Sequence, residues 1–139
     1  MKPIDPDPGA FSAALKSLPK DKPVVMLNLL AFRDQAAYAA GSEEGCAPCT
    51  GREAYARYSK QALKHVMGCG GEVIFMGAAQ VPLVAPADEK WDEVLLVRYP
   101  SIEAFVAMVM NPEYQQFAHH RTAALEEARL IPMLEAGVG

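Results

Sequence analysis

The run Val24 to Leu30, VVMLNLL, constrains the fold more than any other stretch of the chain. It is short and rich in branched apolar residues, which reads as a buried strand. Alternation then puts Val25, Leu27 and Leu29 on one face and Met26, Asn28 and Leu30 on the other. Both faces are apolar, so both must be covered. The face carrying Asn28 is expected to meet the subunit's own helices. The face of Val25, Leu27 and Leu29 is expected to meet a second copy of the chain, an isologous homodimer.

The remaining elements arrange themselves around this strand. Asp7 and Pro8 supply a cap and first position for a short helix with Phe11, Leu15 and Leu18 on one face, ended by Pro19. Thr50 and Glu53 form a capping box for a helix to about Met67, closed by Gly68, Gly70 and Gly71. A strand from Glu72 to Gln80 follows, then another from Asp92 to Tyr99. Ser101 caps a helical run that breaks at Asn111, where Asn-Pro-Glu starts a new helix expected to reach Ala128. A last strand spans Leu130 to Leu134. Pro132 has no amide to donate and assigns that strand to a sheet edge or a bulge. Between the first strand and Thr50 the chain is polar and glycine-broken, a loop with a helical turn expected around Gln35 to Ala40.

The order strand, helix, strand, strand, helix, strand is the split βαββαβ arrangement of the ferredoxin-like fold. That fold is α+β, a four-stranded antiparallel sheet with its helices on one face. A length of 139 residues with 51% hydrophobic content fits one domain, here residues 1–139, with an N-terminal helical extension over 1–20 and a loop insertion over 33–50. A formal net charge of -4, with no arginine-rich run, offers no attraction to nucleic acid or to an anionic membrane. The N-terminus lacks the apolar core of a secretory signal, and no apolar run approaches the ~18 residues of a membrane span. Three cysteines are too few for a secreted disulfide framework and agree with a cytoplasmic location.

The phrases VVMLNLLAFR, GREAYARYSKQA, GGEVIFMG, WDEVLLVRYPSIEAF and NPEYQQFAHHRTAALEEARLI resemble an uncharacterised family of the dimeric α/β-barrel superfamily. The resemblance covers nearly the whole chain from the first helix onward. It implies two ferredoxin-like sheets packed face to face as a barrel, with a cavity in each subunit between sheet and helices. Similar proteins include cofactor-free monooxygenases of quinone-forming aromatics, haem-degrading enzymes, muconolactone isomerases, polyketide cyclases and plain binding domains. The fold by itself therefore does not give the function. The segment from Cys46 to Cys49 departs from the family pattern.

Several residues are candidates for chemistry. Asn28 is an amide inside an apolar strand and needs a partner, either a ligand oxygen, as in some of these relatives, or a neighbouring backbone group. Arg121 sits at the centre of the helical face formed by Tyr114, Phe117, Leu125 and Ala128. It is expected either to pair structurally with Glu93 or to hold a substrate carboxylate or enolate. His120, at the margin of that face, is the histidine best placed for proton transfer, and a structural role is its alternative. Trp91, Tyr55, Tyr58 and Tyr99 offer an aromatic wall for a flat ligand, or simply core; alternation puts Trp91, Glu93 and Tyr99 on the helix side. Cys46 and Cys49 form a Cys-x-x-Cys pair on a loop expected to be exposed and mobile, without the strand-to-helix context of a redox motif and with two of the four ligands of a structural zinc site. No phosphate loop, nucleophile elbow or zinc-protease helix is present, and no metal or cofactor is expected.

Three functions follow as alternatives: a cofactor-independent enzyme on a small aromatic or carbonyl compound, a non-catalytic binding or sensor dimer, and a thiol redox protein. An enzyme is expected to bring His120 and Asn28 to one point of the cavity.

Overall fold

A computed structural model describes residues 2–136. Its elements are α1 (Pro8–Ser17), β1 (Val24–Phe32), α2 (Glu43–Cys46), α3 (Gly51–Gly68), β2 (Glu72–Ala78), β3 (Glu93–Tyr99), α4 (Ile102–Met110), α5 (Pro112–Ala124) and β4 (Leu125–Met133). The strands form one sheet in the order β2-β3-β1-β4. Every neighbouring pair is antiparallel, so the topology is ferredoxin-like.

The caps are where the sequence puts them. Asp7 accepts from the Ala10 amide, Ser101 from Ala104 and Asn111 from Glu113, while Thr50 and Glu53 bond reciprocally as a capping box. Gly70, at φ +86°, takes the left-handed turn that lets β2 leave α3. Pro132 lies on β4, an edge strand.

Several boundaries differ from the sequence reading: β2 ends at Ala78 instead of Gln80, and β4 starts at Leu125 and ends at Met133 where Leu130 to Leu134 was expected. Helix α5 stops at Ala124 instead of Ala128, and Leu125 is already extended, at φ -100° and ψ 135°. The register slips between Ala31 and Phe32, with Phe32 opposite Leu125 and Ala31 opposite Glu127. The extra residue makes a bulge, so Leu125 and Ala128, three apart, are both buried as strand residues. That spacing imitates a helical face. The turn expected at Gln35 to Ala40 is also absent, since Ala36 donates to the Cys49 carbonyl and Ala37 to that of Ala123. The short helix lies later, capped by Ser42.

Two connected clusters make up the core. Val24, Met26, Val97 and Tyr99 of the sheet pack under Ala62 and Val66 of α3 and Phe105 and Met108 of α4. Phe11 of α1 stacks on Phe105 with ring centroids 6.0 Å apart, which ties the N-terminal helix to the main body. At the other end, Leu30, Ala54, Tyr55, Ala124 and Leu125 close the joint between β1, α3 and α5.

On the opposite face of the sheet, the register sets Leu27 between Leu96 and Ile131, and Leu29 between Val94 and Arg129. Phe75, opposite Leu96, extends this apolar surface across β2. Val25 departs from expectation: lying between Arg98 and Met133, it is already buried within the subunit, whereas Leu27 and Leu29 are half-buried.

Candidate functional site

A cavity of about 590 Å³ lies between the inner sheet face and helices α3, α4 and α5. Alternation in β1 and β3 delivers its floor, Met26 and Asn28 from one strand and Glu93, Leu95, Val97 and Tyr99 from the other. Tyr55 and Tyr58, on one face of α3, and Tyr114 and Arg121, two turns apart on α5, cover it. Asp5 and Pro6 close one end.

The apolar volume holds a few polar groups. Asn28 Nδ2 donates to the Leu95 carbonyl at 3.3 Å and, more weakly, to that of Met26 at 3.4 Å. Its amide oxygen accepts no hydrogen bond among the described residues, and no buried side-chain polar atom there lacks a partner, so this oxygen is open to an occupant. The hydroxyls of Tyr58 and Tyr114 bond to each other across the cavity. Burial drives the phenols of Tyr55, Tyr58, Tyr99 and Tyr114 above their ordinary range, which keeps them protonated at neutral pH.

Arg121 corrects one expectation: it reaches the cavity that Glu93 also lines, but the two do not pair. Its guanidinium donates to the Ile4 carbonyl at 2.6 Å and lies 3.5 Å from the Asp5 carboxylate. The physical reason is the N-terminal segment, which folds over the end of α5 and offers these oxygens first. Thr122 donates to Asp5, and Ala128 donates its amide to Pro3. Asp5, Pro6 and Arg121 also border a second, smaller cavity of about 300 Å³.

Glu93 is thus left as a carboxyl in an apolar wall. Burial raises its pKa; the charge of Arg52 opposes this and that of Asp92 adds to it. A carboxyl raised in the folded state costs stability only once it ionises. The cost is absent below the unfolded pKa, develops as pH rises through the window up to the folded pKa, and is complete above it. Glu93→Gln is therefore expected to melt higher than the wild type at pH 7. The two should converge below about pH 4, where the unfolded carboxyl is also protonated; equal melting temperatures at both pH values would refute the burial argument.

Tyr55, Tyr58, Tyr99, Glu93, Asn28 and Arg121 all meet at this cavity. Trp91 and His120 do not line it. Trp91 precedes β3 and carries the Arg129 guanidinium over its ring, 5.2 Å from the centroid. The Nδ1 atom of His120 lies 2.6 Å from the hydroxyl of Tyr38, in the 33–50 segment, so the structure does not bring His120 to Asn28. Cys49 is half-buried against the second core cluster, its carbonyl bonded to Ala36, and is not on a freely exposed loop. The Cys46 side chain lies outside the described residues. Sequence reasoning overlooked Tyr114 as a site residue, though its spacing of seven from Arg121 put both on one helical face. Asp5 gave no signal, because nothing in a short polar N-terminus reports where it docks.

A family model described as a domain of unknown function, DUF1330, matches residues 47–133. A protein of unknown function from Rhodopseudomonas palustris is similar in structure with a TM-score of 0.89 and 35% identity, covering 99% of this chain and 100% of that one. Its methylated form gives 0.90 and 36%, covering 99% and 98%. The hydroxynitrile lyase of Passiflora edulis shares the fold at 13% identity and a TM-score of 0.51, over 86% of this chain and 98% of its own. No functionally curated protein matches the sequence.

Proposed function

We propose, starting from the fact that this chain belongs to the DUF1330 family, that its cavity binds a small aromatic or carbonyl-bearing molecule between sheet and helices. The observation that carries this reading is the convergence of Asn28, Glu93, Arg121 and the Tyr58–Tyr114 hydroxyl pair on one aromatic-walled space of about 590 Å³. A mostly apolar volume of that size with a few convergent polar groups is what small-ligand sites look like. A flat ring packs against the tyrosine faces, and the phenols donate to its oxygen. Asn28 sits at the floor with its amide oxygen free to take a hydroxyl or amide proton.

Chemistry in such a site would be proton transfer without a cofactor, of the isomerase or cyclase kind, with Glu93 as acid or base because burial moves it toward neutral pH. Arg121 would orient an anionic substituent at the end closed by Asp5. A non-catalytic binding dimer is the second reading, favoured by the distance His120 keeps from the cavity. We place the protein in the cytoplasm from its cysteine usage; among the described residues no helix is long and apolar enough to cross a membrane.

The test is a thermal-shift screen with small aromatic acids, quinones, lactones and haem. A compound that raises the melting temperature of the wild type is expected to raise that of Asn28→Ala much less, by the equivalent of at least about tenfold in affinity. Glu93→Gln should keep the binding. If it also stops turnover of the bound compound, the enzyme reading stands, and binding without turnover in the wild type leaves the sensor. A panel that shifts nothing, or that shifts Asn28→Ala equally, defeats the assignment of this cavity.

We also infer that the subunit pairs with a second copy through the outer sheet face. Phe75 and Ile131, 54% and 46% exposed, join Leu27, Leu29 and Leu96 in an apolar surface that the subunit's own helices do not cover.

A further inference from the structure

We propose that Glu44, His119 and His120 form a binding site for a divalent transition-metal ion, zinc above all, outside the cavity. One ligand atom from each of the three side chains lies within 4.8 Å of the others. His119 Nε2 is 3.2 Å from Glu44 Oε1, and the two imidazole rings lie with centroids 4.1 Å apart. Zinc bonds of about 2.0–2.2 Å to imidazole nitrogen and carboxylate oxygen set two ligands of one ion roughly 3.4 Å apart, so modest side-chain rotation closes the site.

Two nitrogens and one carboxylate suit zinc, nickel or cobalt better than magnesium or calcium, which prefer oxygen throughout. Three protein ligands leave a fourth position to solvent. Support around the ligands strengthens the case. The Tyr38 hydroxyl lies 2.6 Å from His120 Nδ1 and accepts from Arg57 at 3.3 Å, so an ion held through His120 Nε2 would leave Nδ1 hydrogen-bonded, the arrangement usual for metal-binding histidines. The ring of Tyr38 also meets that of His120 edge-on, at 5.6 Å. The sequence gives no metal spacing because Glu44 and His119 are 75 residues apart and meet only when the 33–50 segment lies against α5. An ion there would fasten that segment to the helix that also carries Tyr114 and Arg121 into the cavity.

The experiment is a calorimetric titration of tag-free, chelator-treated full-length protein with zinc chloride, followed by cobalt chloride with visible spectroscopy. One ion per chain and a rise in melting temperature are expected. Glu44→Gln and His119→Ala should each weaken zinc binding by more than about a hundredfold, and Tyr38→Phe, which touches no ion, by about ten- to a hundredfold. His65→Ala, on α3, should leave it unchanged. His119 and Glu44 side chains are 49% and 32% exposed, so their variants are expected to fold, and circular dichroism checks this. If a variant fails that check, His119→Gln replaces it. The proposal is overturned if no zinc binds, if zinc binding survives Glu44→Gln and His119→Ala, or if only a Cys46→Ser, Cys49→Ser double variant abolishes it. A thiolate-to-cobalt charge-transfer band would report that last case directly. None of these readouts depends on a ligand in the cavity.

Discussion

Replacing Gly51 by alanine should weaken the fold by about 3 kcal/mol, the upper end of what overpacking usually costs. A Cβ built on Gly51 falls 2.3 Å from the Arg33 carbonyl oxygen, 2.6 Å from that of Ala124 and 2.8 Å from the Arg33 nitrogen. All three are backbone atoms, so no side-chain rotation relieves the contact. The backbone conformation of Gly51 is ordinary, and the requirement is purely one of space. Here the Gly51 amide donates to Arg33 at 3.1 Å and the Arg33 amide to Ala124 at 2.9 Å, joining the start of α3, the end of β1 and the end of α5. Moving any of the three breaks a buried hydrogen bond. Gly68→Ala is the matched control, since a Cβ there meets nothing within 4 Å. A helical glycine replaced by alanine should gain up to about 1 kcal/mol. Urea melts of both variants decide the matter, and a Gly51→Ala midpoint equal to the wild type would show that the joint yields.

Leu27→Asp should turn a dimer into folded monomers. Leu27 lies at the centre of the outer sheet face, flanked by Leu96 and Ile131. In a single subunit it is half-buried on the outer sheet face, so an aspartate there still reaches water and the subunit is expected to keep its fold. In an isologous dimer the substitution would occur twice at one interface, taking two carboxylates out of water. Even about 3 kcal/mol lost at such a contact raises the dissociation constant by roughly a hundredfold. Sedimentation velocity over a concentration series measures this. A wild type that sediments as a monomer, or a Leu27→Asp dimer of unchanged affinity, would exclude this face as the interface.

Local signals in the sequence carried over wherever a short stretch determines its own geometry. The caps at Asp7, Thr50, Ser101 and Asn111 each need a side chain and an amide only two or three residues away, and all four form. The same holds for Asn28, whose inward direction follows from alternation alone. What the sequence hid was set by distant chain. A bulge gave Leu125 and Ala128 a helical spacing inside a strand. The N-terminal residues Ile4 and Asp5 took Arg121 from Glu93 across 117 and 116 positions of sequence. Tyr38 drew His120 away from the cavity by a contact 82 residues long. Helical periodicity told which face His120 borders, not which neighbour would claim it.

The sheet edges bear on how this protein can assemble at all. On one side β4 carries Pro132 next to its last residue, and on the other β2 is irregular between Val73 and Phe75. Each border thus carries one of the devices that discourage a foreign strand from adding, and Ala128 of β4 already donates its amide to Pro3. Edge-to-edge growth is hindered by these features, although Phe75 and Met76 are exposed beside the edge of β2. The pairing proposed through the outer face would close after two copies, so a concentrated solution is expected to stop at a discrete particle without polymerising.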